Sequence, residues 1–280
     1  MTFRTLLLHL DDPAHAAACA AYAAKLARSF QARLLGLSCH QPTPWPSDGA
    51  TALIAGDPLT VELRKSEDRA SSREMEFERQ CRLAELSSFE LLRDDVEPAS
   101  AVVAHALGAD LVLLGQPDPD KPGHREQRAR VDTVIQECAR PVLVVPYAGN
   151  FEPDFDTVLI AWDDSIEAAR AATAALPLLK RARAVHLVHL RHPGHESVLP
   201  LQASVDRAAI WLACHGFEVR GRVTTNALPA GEALLSEIAD TGANLLVMGA
   251  WGRRRFVERL LGGTTRTLVD SMTAPVLFAH

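Results

Sequence analysis

The sequence predicts an α/β protein of two tandem domains, each a doubly wound, five-stranded parallel sheet. Three observations carry this expectation. One set of motifs occurs twice, short apolar runs alternate with long alanine-rich helical stretches, and each half closes on a proline-led apolar run. Apolar strands joined by helical crossovers give a parallel sheet covered on both faces.

The repeat can be read from the letters. Leu6-Leu-Leu-His-Leu-Asp11 is answered by Leu159-Ile-Ala-Trp-Asp163, and Ala109-Asp-Leu-Val-Leu-Leu-Gly115 by Ala243-Asn-Leu-Leu-Val-Met-Gly249. Ala139-Arg-Pro141-Val-Leu-Val-Val145 is answered by Thr273-Ala-Pro275-Val-Leu-Phe-Ala279. The aspartates stand 152 residues apart and the two later pairs 134 apart, so the first half holds about eighteen extra residues. Gln41–Thr60, with four prolines and two glycines, is the expected insertion, and Pro146–Asp156 the linker. The domains are therefore expected at 1–148 and 155–280.

In the second half, strands are expected at Thr157–Ala161, Ala184–Leu190, Glu218–Thr224, Asn244–Met248 and Ala274–Ala279. Helices fall near Ser165–Lys180, Leu201–His215, Gly231–Thr241 and Thr264–Ser271, with Ser165 as an N-cap. Ligands of such sheets sit beyond the carboxyl ends of strands where strand order reverses. With five strands, the reversal is expected between the first and fourth. That brings Asp163 beside Gly249, where a carboxylate can accept hydrogen bonds from an adenine amino group or a ribose hydroxyl.

The loop after the fourth strand carries Gly249, Gly252, Gly262 and Gly263, followed by Thr264 and Thr265 at the start of a helix. Glycine lets a backbone approach phosphate oxygens, and a helix N-terminus offers unpaired N–H groups and the positive end of its dipole.

Composition narrows the partners. The 280 residues are 48% hydrophobic, and a formal charge of −6 with a pI near 6.0 argues against nucleic acid. No apolar stretch is long enough to span a bilayer, and Met1–Asp11 lacks the features of a cleaved signal. Five scattered cysteines without a CxxC pair read as reduced thiols, so a cytoplasmic location is expected.

Other motifs carry less. His186, His189, His192 and His195 recur every third residue, but strand residues three apart point to opposite faces, so solvent-facing histidines are expected rather than a metal site. His192-Pro-Gly-His195 imitates the HxGH signature of nucleotidyltransferases but follows the second strand, not the first. No Ser-His-Asp or Cys-His set suggests nucleophilic catalysis. Asp164 is expected in a capping or solvated role.

Taken together, these residues resemble the universal stress protein family in its tandem two-domain form, over essentially the whole chain. Nucleotide-binding members carry glycine, two residues, glycine, nine residues, glycine, then Ser or Thr. Gly249, Gly252 and Gly262 fit that spacing, while Gly263 stands at the hydroxyl position and Thr264 and Thr265 follow it. Ala161-Trp-Asp163-Asp-Ser165 is similar to the family's acidic motif after strand one. The resemblance implies a Rossmann-like fold arranged as a pseudo-dimer and a C-terminal site for ATP or ADP, with Mg2+ as an optional companion. It also implies a stress-response role with at most slow hydrolysis; a further homodimer of the tandem chain stays open.

In the first half the family's loop positions become Asp118, Arg128 and Ala129, and Pro117, Pro119 and Pro122 stiffen the segment. That domain is not expected to bind nucleotide in the family's manner. The alternative reading is a module for a non-nucleotide, lipid-like ligand or a protein partner.

Overall fold

A computed structural model describes residues 2–11, 13–40, 56–194, 197–250 and 263–280. The chain divides into two compact units, Arg4–Gly115 and Gln116–His280, the latter with the N-terminus through Phe3.

The first unit runs β1 (Thr5–His9), α1 (Pro13–Phe30), β2 (Arg33–Cys39), α2 (Gly56–Leu83), β3 (Phe89–Asp94), α3 (Pro98–Ala106) and β4 (Leu111–Gly115). Its strands are parallel in the order β3-β2-β1-β4. β1 is central, and Leu6, Leu7 and Leu8 are fully buried because helices cover both faces. Ala20, Ala23, Ala24 and Ala27 form the buried side of α1, where methyl-sized groups let the helix lie close to the sheet. Helix α2 presses the Phe77 ring onto Gly36 of β2, where an added Cβ would stand 2.7 Å from ring carbons. Phe77 also meets Phe89 edge to face at 6.1 Å.

The second unit contains α4 (His124–Glu137), β5 (Val142–Val145), β6 (Thr157–Ala161), α5 (Ile166–Leu179), β7 (Ala184–Arg191), α6 (Val198–Cys214) and β8 (Val219–Thr225). It ends with α7 (Ala230–Thr241), β9 (Leu245–Gly249), α8 (Gly263–Ser271) and β10 (Val276–Ala279). Strand order is β5-β10-β9-β6-β7-β8, parallel except for β5. The five strands of the second repeat follow the expected doubly wound order, with β6 between β7 and β9.

The closing strands pair antiparallel, Val276 with Val144, Leu277 with Leu143 and Phe278 with Val142, as in a pseudo-dimer. All six side chains are buried, each worth roughly 1.5–3 kcal/mol when fully removed from water. This pairing draws α4 and β5, the end of the first repeat, into one compact unit with the second repeat. The packing boundary lies after Gly115, within the first repeat.

The repeats share local devices. Asp110 Oδ2 accepts from Arg4 N (2.7 Å) and Thr5 N (3.0 Å), and Asn244 Oδ1 accepts from Thr157 N (3.1 Å) at the matching position. Each side chain thus anchors the first strand of its own repeat beside the fourth. The first repeat's extra length is partly helical, since α2 has 28 residues where its counterpart α6 has 17. The expected insertion loop gives way to helix at Gly56; residues 41–55 lie outside the described ones. No helix among the described residues is long and apolar enough to cross a membrane.

Replacing Gly36 by valine forces methyl groups into the Phe77 ring. A loss of about 1–3 kcal/mol is expected from overpacking, read from urea denaturation of the full chain.

Candidate functional site

In the second unit the carboxyl ends of β6 and β9 lie side by side, with Ala161 opposite Met248. Asp163 follows β6 and Gly249 ends β9, so the expected neighbours share the point where strand order reverses. Both flank the start of α5. Ser165 is its N-cap, and its Oγ accepts from Ala168 N at 3.0 Å. Asp163 Oδ1 accepts from Ser165 N (3.1 Å) and from Ser165 Oγ. The carboxylate is thus held by one oxygen, while Oδ2 has no hydrogen-bond partner among the described residues. Asp163 is exposed at the mouth of the sheet.

Gly249 is required by packing. An added Cβ would stand 2.5 Å from Ala168 N and 2.6 Å from the Glu167 carbonyl carbon, both in the first turn of α5. Its absence of a side chain brings β9 against that helix N-terminus. Gly263 opens α8 and is different, because a Cβ there meets nothing within 4 Å among the described residues. No described residue bars a side chain at this position. Thr264 is half-buried and Thr265 is 3% exposed, so Thr265 belongs to the packed side of α8. Gly252 and Gly262 lie outside the described residues.

Asp164 keeps the expected exposure and adds a structural bond. It is exposed but adopts a left-handed φ of 60°, and its Oδ1 accepts from Ser204 Oγ of α6 at 2.6 Å. Ser204 Oγ in turn accepts from the Trp162 indole N–H at 3.0 Å. This chain of bonds ties the segment after β6 to α6, a contact with no short-range signal in the sequence.

The histidine expectation also needs correction. His189 is 7% exposed, on β7, so it is not solvent-facing. Desolvation, with the charges of Arg222 and Arg220, lowers the pKa of His186. His192 is exposed, and His195 lies outside the described residues. Four of the cysteines are buried and Cys214 is exposed; all five are free thiols. Burial, helped by the charge of Asp11, pushes the Cys19 thiol up to about 12.

In the first unit a side chain of α2 reaches the same end of the sheet. Arg73 of α2 donates to the carbonyls of Asp11 (3.0 Å) and Cys39 (3.3 Å), covering the carboxyl ends of β1 and β2. The next residue, Glu74, is 6% exposed and takes hydrogen bonds from Arg93 Nε (3.1 Å) and Nη2 (2.6 Å). His40 Nε2 lies 3.0 Å from its other oxygen. Burial would raise the Glu74 pKa, but hydrogen bonds from Arg93 and Ser38 and the charges of Arg93 and His40 reverse this and hold it low.

Two expectations follow. Gly249→Ala drives a methyl into the backbone of α5 and should cost about 1–3 kcal/mol in urea denaturation. Because the folded Glu74 pKa is depressed, its stabilisation is complete above the unfolded value of about 4.3 and is lost as pH falls through the folded one. Glu74→Gln should flatten that acid-side slope, measured as denaturation midpoints from about pH 3 to 7.

Comparison with known proteins agrees with this architecture. A family model described as the universal stress protein family matches residues 2–146 and again 154–280. A universal stress protein from Archaeoglobus fulgidus DSM 4304 superposes with a TM-score of 0.70 at 17% identity, over 98% of this chain and 95% of that one. A functionally unknown protein from Pseudomonas aeruginosa PAO1 gives 0.56 at 16% identity, over 99% and 92%. A putative universal stress protein from Pseudomonas aeruginosa UCBPP-PA14 gives 0.55 at 17%, over 99% and 93%. No curated protein matches the sequence. With both repeats matched by one family model and the paired-repeat fold shared along the chain, this protein belongs to the universal stress protein family.

Proposed function

We propose that the second repeat binds an adenine nucleotide, ATP or ADP, and that the protein acts as a regulatory binding module in a stress response. The observation carrying this reading is the meeting of Asp163 and Gly249 at the β6–β9 switch point, on either side of a capped helix start. Asp163, steadied by Ser165 through one oxygen, accepts a hydrogen bond from the adenosine portion through the other. The backbones of Gly249, Gly252, Gly262 and Gly263 line the phosphates, and the first N–H groups of α8 face them. Thr264 is the hydroxyl better suited to reach a phosphate or a Mg2+ ion, since Thr265 is buried.

Binding rather than turnover is the proposed activity, with at most slow hydrolysis. Asp163 and Asp164 do not converge on one point, because they serve different partners, Ser165 and Ser204. The first repeat has Asp118, Arg128 and Ala129 where the second has Gly252, Gly262 and Gly263, so one nucleotide per chain is the expected stoichiometry. The domain scheme is the repeat scheme, 1–148 and 155–280, with only the second repeat bearing the site.

Calorimetric titration with ATP, ADP and AMP, with and without Mg2+, is the test, after any co-purified nucleotide is removed. Saturation at one site is expected. Asp163→Ala should weaken binding by about tenfold or more, the worth of a hydrogen bond to a charged group. Gly262→Asp should abolish it while the fold persists. No heat with any nucleotide from folded, ligand-free protein would sink the proposal and favour a non-nucleotide ligand or a protein partner.

A further inference from the structure

The loop and helix that lost the phosphate motif in the first repeat are not idle. Gln116, Asp118 and Arg128 are charged or polar, yet each is less than 9% exposed. Two of them reach α8, the helix that opens with Gly263, Thr264 and Thr265. Gln116 Nε2 donates to Val269 O at 2.8 Å, while its Oε1 accepts from Tyr147 N at 3.1 Å. Arg128 Nη1 donates to Asp270 Oδ1 at 2.9 Å, and its Nη2 lies 3.1 Å from Asp132 Oδ1 without hydrogen-bond geometry.

Both contacts fall on the C-terminal half of α8. The last four carbonyls of a helix have no partner within it, and Val269 O is one of them. A cation is also favoured at that end by the helix dipole. On another side, Thr267 of α8 packs against Gly231 of α7, where an added Cβ would stand 2.6 Å from the Thr267 Cβ. The helix is therefore gripped from the side of the first repeat at one end, while the other end carries the glycine–threonine segment.

The grip is one-sided. At the repeat spacing of 134, Gln116 corresponds to Ala250 and Arg128 to Gly262. Neither residue of the second repeat can return the contact, since alanine and glycine have no polar side chain. One sequence position thus serves two incompatible tasks, a bare backbone for phosphate in one repeat and a guanidinium for helix docking in the other.

We infer that Gln116 and Arg128 are positioning residues that hold α8 from the first repeat, so that the degenerate repeat supports the phosphate end of the second repeat's site. They touch no ligand and act through the helix. The link to phosphate rests on the nucleotide reading above; the clamp on α8 does not.

The test uses the full chain with Gln116→Met and Arg128→Gln, each checked for a cooperative unfolding transition. Amides of Thr267–Ser271 should exchange with deuterium about tenfold faster in either variant, with α5 unchanged. ATP affinity should fall by about tenfold while adenosine affinity stays constant, because only the phosphate end is displaced. If Arg128→Gln does not fold, Gln116→Met carries the same comparison. Unchanged exchange in α8, an unaltered ATP affinity, or equal losses for ATP and adenosine would each overturn the inference. Should the wild-type protein bind no nucleotide, the nucleotide reading fails by itself, and exchange in α8 alone decides the clamp.

Discussion

The antiparallel ladder between β5 and β10 is the constraint on which the second unit depends. It buries Val142, Leu143, Val144, Val276, Leu277 and Phe278 in one layer and places β10 between β5 and β9. β9 is then fixed on one flank by β10 and on the other by β6, which sets Gly249 one step past the Ala161–Met248 pair. Without a partner on its outer side, β10 would be an exposed apolar edge, an arrangement that invites aggregation. Joining two repeats in one chain supplies that partner at high effective concentration.

From that frame the site follows by close approach rather than by added chemistry. Gly249 lets β9 meet the first turn of α5, Ser165 caps that turn, and Asp163 is fixed by Ser165. The left-handed Asp164, bonded to Ser204 and through it to Trp162, turns the segment between strand and helix. Few residues tolerate that backbone conformation, and aspartate is among the better suited. Family membership places these features among proteins of one fold, but identities of 16–17% to the long structural relatives leave ligand chemistry to the residues of this chain.

The two repeats have taken different paths from one plan. Asp110 and Asn244 still do the same work at the start of their first strands. Around the strand ends, by contrast, the first repeat sets Arg73 against β1 and β2 and pairs Glu74 with Arg93, while Gln116 and Arg128 bond α8. Burial lowers the pKa of Arg128, and the charges of Asp132 and Asp270 oppose that shift only in part.

Much of this was legible in the letters, because strand and helix periods, caps and repeats are local. The second repeat's strands and helices fall within a few residues of the sequence expectation, Ser165 caps its helix, and β6 lies beside β9. Three things were not legible. The extension of α2 back to Gly56 overrides a proline- and glycine-rich composition, and His189 is buried by the packing around β7. The bonds of Arg73 to Asp11, Asp164 to Ser204 and Gln116 to Val269 join residues 62, 40 and 153 positions apart. The sequence by itself determined the two repeats and the order of strands within the second, since apolar periodicity and crossover handedness leave few alternatives. Only the tertiary structure decided which polar side chains meet, because a hydrogen bond is satisfied by distance and angle in space and leaves no periodic trace along the chain.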